Sequence, residues 1–227
     1  LTGFFNANLH DIIYKVIQTP LVGLGSSIWA TLVAIFFVQF LWFFGLHGQI
    51  LVNSVMDPIW NTLMLDNLEA YQAGKHLPHI ISKSFMETFT VGLGGSGMTL
   101  AVVIIMAFIL KKKMYKDVGR LALGAGLFNV NEPVIFGLPI VLNATILIPW
   151  VLAPIVVTAF NYTVMAVGIV PAPTGVAVPW TVPVFFSGML ATNSILGGVL
   201  QLVDMVIVGF IWYPFLRMLD KQPDSVL

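Results

Sequence analysis

The chain has no cysteine and very little charge, and each shortage excludes something. Without Cys there can be no disulfide framework, no metal–thiolate site and no thiol nucleophile. The four histidines, His10, His47, His76 and His79, show no His-Glu-x-x-His spacing, so neither a metal site nor a cofactor is expected. Asp, Glu, Lys and Arg together make up 9% of the chain, where soluble domains carry roughly 25%. Ten basic residues balance ten acidic ones, and zero net charge argues against a nucleic-acid partner. The opening Leu1-Thr2-Gly3 lacks the charged region that precedes a signal sequence and reads as a start in mid-protein.

Apolar residues are abundant, at 58% of 227 residues with a mean hydropathy of +0.95. Several runs are long enough to cross the roughly 30 Å hydrocarbon core of a bilayer, which takes about 20 helical residues. Backbone in lipid must satisfy its own hydrogen bonds, which leaves helices or a closed barrel, and continuous apolar runs select helices. The expected fold is therefore an all-α integral membrane protein: a bundle of transmembrane helices with re-entrant hairpins and an amphipathic surface helix.

That surface helix is expected at 6–18, where Leu9, Ile12, Ile13, Val16 and Ile17 share a stripe that Asp11 and Lys15 avoid. Residues 1–20 then form a connecting helix and 21–227 the membrane-embedded domain. Spans are expected at 26–46, 91–110, 144–170 and 195–216. Residues 49–64, interrupted by Asp57-Pro58, read as a hairpin or re-entrant element, and the polar 66–87 as a loop or surface helix. The segment KKKMYKDVGR at 111–120 carries five basic residues against one acidic, so this loop belongs in the cytoplasm. Arg217 and Lys221 put the C-terminus there too. Two spans then separate residue 120 from residue 216, and the leftover apolar pieces 121–142 and 176–192 must enter and leave on one side. Both are broken by proline, at Pro133 and Pro139 in one and Pro179 and Pro183 in the other. Paired broken hydrophobic segments point to a transporter's binding site.

One carboxylate stands out. Between Leu121 and Val203 the only ionisable Asp, Glu, Lys or Arg is Glu132, in GLFNVNEPVIFGLPIVLN. It could lie at a membrane surface, pair with a Lys or Arg from elsewhere, or be protonated and structural. The long apolar flanks, with Asn129 and Asn131 close by, favour function instead, because charge inside a bilayer is costly. A carboxylate among amides suits a neutral, hydroxyl-rich ligand such as a sugar. A phosphorylated substrate would need Arg or Lys, and none is expected at membrane depth.

Three motifs carry a resemblance: FNVNEPVIFGLPIVLN at 128–143, FGLHG at 44–48 and GLGGSGMT at 92–99. Together they resemble the membrane permease subunit, enzyme IIC, of the bacterial phosphoenolpyruvate-dependent sugar phosphotransferase system, in its lactose, cellobiose and diacetylchitobiose branch. The likeness runs over essentially the whole chain, but family members are about twice as long. It implies the C-terminal, sugar-binding half, without the N-terminal helices that form a homodimer interface. It also implies a multi-pass protein of the bacterial inner membrane. A disaccharide would bind in a buried pocket that moves toward the cytoplasm, where a partner IIB subunit phosphorylates the 6-hydroxyl. The phosphoryl donor would sit on IIB, and this chain would supply the acceptor side.

By the same resemblance Glu132 and His47 contact that hydroxyl. A carboxylate bonded to it could orient it and take its proton. Gly45 and Gly48 flank His47 and permit close backbone approach. Trp180, in VPWTVP, offers an aromatic face to a sugar ring, although an interfacial belt would also use a Trp. Trp150 reads as such a belt residue. Asn129 and Asn131 either cap broken helix ends or bind sugar. Asp204, three residues after Gln201 in the last span, reads as half of a polar pair within the bundle, outside the site. Two other functions compete: a secondary transporter using Glu132 for proton symport, and an intramembrane enzyme with His47 and Glu132 as an acid–base pair. The enzyme lacks a nucleophile constellation or a metal set.

Overall fold

The computed structural model describes residues 25–222, and the amphipathic helix expected at 6–18 lies outside them. Every regular element among the described residues is helical. Helix α1 (Ile28–Phe43) turns through residues 44–47 into α2 (Gly48–Gln72), and the two pack together. A short helix α3 (Lys83–Met86) runs into a π-helical turn, Glu87–Val91. After the glycine-rich stretch come α4 (Leu100–Phe108), α5 (Lys113–Leu127), α6 (Glu132–Gly137), α7 (Ala144–Ala166), α8 (Phe186–Thr192) and α9 (Ile195–Lys221). Only α7 and α9, of the described helices, are long and apolar enough to cross a membrane by length and composition. They occupy the spans expected at 144–170 and 195–216.

Three expectations fail, each for a backbone reason. Residues 49–64 are no hairpin, because α2 continues for 25 residues through Pro58. Proline removes one donor from the ladder. Beyond it, Trp60, Leu63 and Asn67 are buried, and the Thr62 hydroxyl donates to the Pro58 carbonyl at 2.9 Å. The helix also absorbs the start of the polar 66–87 stretch.

The span expected at 91–110 is not one helix. Gly94, Gly95, Gly97 and Met98 all have positive φ, a region in which a right-handed helix cannot continue. What remains, α4, is nine residues, about 14 Å at 1.5 Å per residue and too short to cross. Nor is the basic segment a loop: from Lys113 onward it is the first part of α5, which packs against α4 as a helical hairpin. The backbone N–H groups of Lys111 and Lys112 donate to the Asp220 carboxylate at 2.9 and 2.8 Å. That contact places the basic turn beside the end of α9.

The re-entrant reading fares better in outline. Residues 128–131 interrupt the helix between α5 and α6, and 167–185 are largely irregular before α8. A polar side chain joins these irregular pieces to the core. Gln201 of α9, fully buried, accepts from the backbone N–H of Phe185 and Gly188 and donates to the Thr88 carbonyl. The helix breaks are thereby braced from inside the bundle.

Candidate functional site

Four interruptions of helix meet around one cavity of about 560 Å³. Its wall draws on the turn before α2, the glycine-rich stretch, the link before α6 and the Pro-flanked segment around Trp180. That volume lies within the roughly 300–1,000 Å³ of small-molecule sites. Glu132, His47, Trp180, Asn131 and Asn129 all line it. The five residues singled out from sequence, spread over 134 positions, therefore share one space.

His47 arrives there by a tight turn. Gly45 has φ +76°, and a Cβ on Gly48 would collide with the Val38 backbone carbonyl, so the chain passes only as glycine. His47 then caps α2: its Nδ1 accepts the Ile50 N–H at 3.3 Å. With Nδ1 an acceptor, the proton of the neutral ring sits on Nε2, leaving that N–H to donate to a ligand. The ring lies 4.6 Å, centroid to centroid, from Trp42. Trp42 donates to the Ser96 hydroxyl at 3.2 Å, which donates to Gln49 at 3.0 Å.

The two asparagines have different local tasks. Asn129 is 2% exposed and sits at φ +62°, a conformation Asn tolerates better than most residues. Its Nδ2 donates to the carbonyls of Trp180, at 2.6 Å, and Val182, at 3.1 Å, while Oδ1 accepts the Gly94 N–H at 2.8 Å. One side chain thus ties three broken segments together. Asn131 donates to the Ser96 carbonyl at 2.8 Å, and its own carbonyl starts α6. A Cβ on Gly95 would strike the Asn131 amide, so that glycine permits the contact.

Glu132, first residue of α6, is exposed and lines the cavity, and it takes part in no ion pair among the described residues. Trp180 is 47% exposed and lines the cavity, with its backbone carbonyl held by Asn129. Trp150 is no belt residue. It is fully buried, packed edge-to-face between Trp42 and Trp212, because Gly97 leaves space for its ring.

Sequence reading missed an ionic wall. Lys83 Nζ lies 2.7 Å from both Asp57 and Glu87, and all three line the cavity. The expectation that no Lys would reach the site is therefore wrong. The signal was present as spacing: Gln49, Asn53 and Asp57 recur every four residues on one face of α2, and Lys83 and Glu87 are an i, i+4 pair. A hairpin at 49–64 and a loop or surface helix at 66–87 hide that spacing. Counting Glu132, the cavity holds three carboxylates and one ammonium, an unwelcoming place for a phosphate and a suitable one for neutral hydroxyl groups. Asp204 is fully buried away from this wall and accepts from Asn161 Nδ2 at 2.9 Å, the polar pair foreseen for it.

The profile of the family described as "Phosphotransferase system, EIIC" matches residues 1–154. The chain belongs to this family. It is 62% identical over 221 residues to the PTS system oligo-beta-mannoside-specific EIIC component of Bacillus subtilis (strain 168), covering 97% of this chain and 50% of that protein. Against the PTS system cellobiose-specific EIIC component of Geobacillus stearothermophilus it is 43% identical, covering 95% and 48%. Among solved structures it matches the transporter ChbC, the IIC component from the N,N'-diacetylchitobiose-specific phosphotransferase system. There the TM-score is 0.94 at 41% identity, covering 97% of this chain and 51% of the other. The chain spans about half the length of the relatives it matches. Family and fold agree on an all-helical integral membrane protein.

Proposed function

We propose that this chain is the sugar-binding half of an EIIC permease and that its cavity takes a β-linked disaccharide of the cellobiose, chitobiose or oligo-β-mannoside type. One observation carries the reading: Glu132, His47 and Trp180 share a cavity whose remaining polar lining is mostly amide and hydroxyl, or already ion-paired. Trp180 supplies an apolar face for the C–H side of a sugar ring. His47 Nε2–H donates to a sugar oxygen, and Glu132 accepts from a hydroxyl.

In this reading the hydroxyl on Glu132 is the 6-hydroxyl, presented to a phosphoryl donor on a IIB subunit. Phosphoryl transfer is mainly positioning and charge stabilisation, so an acceptor side needs little more than an oriented hydroxyl and a base for its proton. The carboxylate-rich wall then disfavours the phosphorylated product and promotes its release. Residues 1–20 serve as the connecting segment and 21–227 as the transport domain, in a bacterial inner-membrane protein paired through its other half. The basic turn at 111–116 and the C-terminus lie in the cytoplasm.

The test uses the complete protein in vesicles with phosphorylated IIB and a labelled β-disaccharide. Accumulation of phosphorylated sugar supports the reading. Uptake of unmodified sugar, driven by a pH gradient and independent of IIB, would instead establish proton-coupled symport.

A further inference from the structure

Six buried side-chain oxygens have no hydrogen-bond partner among the described residues, and four of them lie on neighbouring elements: the hydroxyls of Thr88 and Thr158, Asn161 Oδ1 and Asp204 Oδ1. Their residues are at most 1% exposed. They belong to one junction. Asn161 Nδ2 donates both to Asp204 Oδ2, at 2.9 Å, and to the Phe89 carbonyl, at 3.4 Å. Thr158 stands one turn before Asn161 on α7, and Thr88 directly precedes Phe89 in the π-helical turn. The Thr88 carbonyl is in turn held by Gln201, one turn before Asp204 on α9. These bonds join three elements, α7, the π-helical turn and α9, and each contributes to this junction a residue with an unpartnered buried oxygen.

Hydrogen bonding within the protein leaves this group unbalanced. A buried carboxylate is tolerated when paired, and Asp204 takes part in no ion pair among the described residues. Both Asn161 amide protons are spent, and its amide oxygen accepts no hydrogen bond, not even from the two Thr hydroxyls. A proton on Asp204 would cancel the charge, but it would not explain why the hydroxyls and the amide oxygen are not hydrogen-bonded to one another. A small cation answers both needs. Carboxylate, amide and hydroxyl oxygens are hard ligands, and one carboxylate matches one positive charge. Oxygens held at roughly 2.4 Å from a cation stand farther apart than hydrogen-bonded pairs, which is how such ligands come to lack partners among themselves. No group of three His, Cys, Asp or Glu side chains exists among the described residues, which speaks against a divalent ion.

We propose that Asp204, Asn161, Thr88 and Thr158 bind a sodium-sized monovalent cation. The π-helical turn is a device that recurs at functional sites. Here it carries Thr88 at the junction while Glu87 and Val91 line the cavity, so the ion would brace that wall from behind.

The test is equilibrium binding of ²²Na⁺ to the complete, purified protein, without sugar or IIB, together with Tm in sodium against choline at constant ionic strength. Expected are saturable binding of one ion per chain and a higher Tm in sodium. Asp204→Asn should weaken binding at least tenfold and abolish the sodium-dependent Tm shift, and Thr158→Val should weaken binding several-fold. Wild type that binds no sodium overturns the proposal without any variant. So does stabilisation by acid alone, which would mean a protonated carboxyl, or binding unchanged in Thr158→Val. Because no sugar is present, failure here leaves the sugar-binding reading untouched.

Discussion

Replacing Asn129 separates the two roles that its sequence position leaves open. Its amide makes three hydrogen bonds, to Gly94 N–H and to the carbonyls of Trp180 and Val182, at a site 2% exposed. Asn129→Gly keeps the positive φ but removes all three. Leaving a buried donor or acceptor unmet costs about 1–3 kcal/mol, and the orphaned Gly94 N–H should bear the full cost. The two carbonyls lose one partner each, so the sum should be on the order of 3–5 kcal/mol. At a few degrees per kcal/mol this lowers Tm by roughly 10 °C. Asn129→Ala should be worse by about 1 kcal/mol, because alanine resists φ near +62°. The assay is thermal unfolding of the complete protein in detergent, with disaccharide affinity measured well below Tm. Affinity should fall as well, since Asn129 holds the backbone of Trp180. If Asn129→Gly left Tm unchanged while affinity collapsed, the residue would be a direct sugar ligand and the bracing argument would be refuted.

Glu132→Gln should keep the fold, weaken sugar binding by about 1.5–3 kcal/mol, the worth of a charge-assisted hydrogen bond, and nearly abolish IIB-dependent phosphorylation; normal phosphorylation in mutant membranes would refute its role. Trp180→Ala should lose on the order of 1–3 kcal/mol of disaccharide affinity and Trp180→Phe less. The control is Trp29, 76% exposed on α1, whose substitution should leave affinity unchanged, whereas Trp150 is unsuitable because it is core. Single cysteines at 111, 113 and 114, in a region without native cysteine, give topology probes, and sealed cells should admit label to them only from the cytoplasmic side.

Local patterns in the chain were enough to indicate an all-helical membrane protein, its family, and five residues, Glu132, His47, Trp180, Asn129 and Asn131, that line one cavity. These signals are local because they are written in composition, in uninterrupted apolar length at α7 and α9, and in short motifs. The failures share a different cause. Pro58 suggested a break, but α2 runs through it, with Trp60, Leu63 and Asn67 buried beyond the lost backbone donor. The apolar run at 91–110 suggested a span, but four positive-φ residues, Gly94, Gly95, Gly97 and Met98, break the helix beside the cavity. Trp150 looked interfacial by position and is buried because a glycine 53 residues away, Gly97, leaves space for its ring. Whether Lys83 is a free cation or the middle of an ion triad depends on Asp57, 26 residues distant, lying across the same cavity. Hydropathy and motif describe what each segment wants from its solvent; which distant groups meet, and therefore which charges are neutralised and which amides are spent on the fold, is decided only when the helices pack.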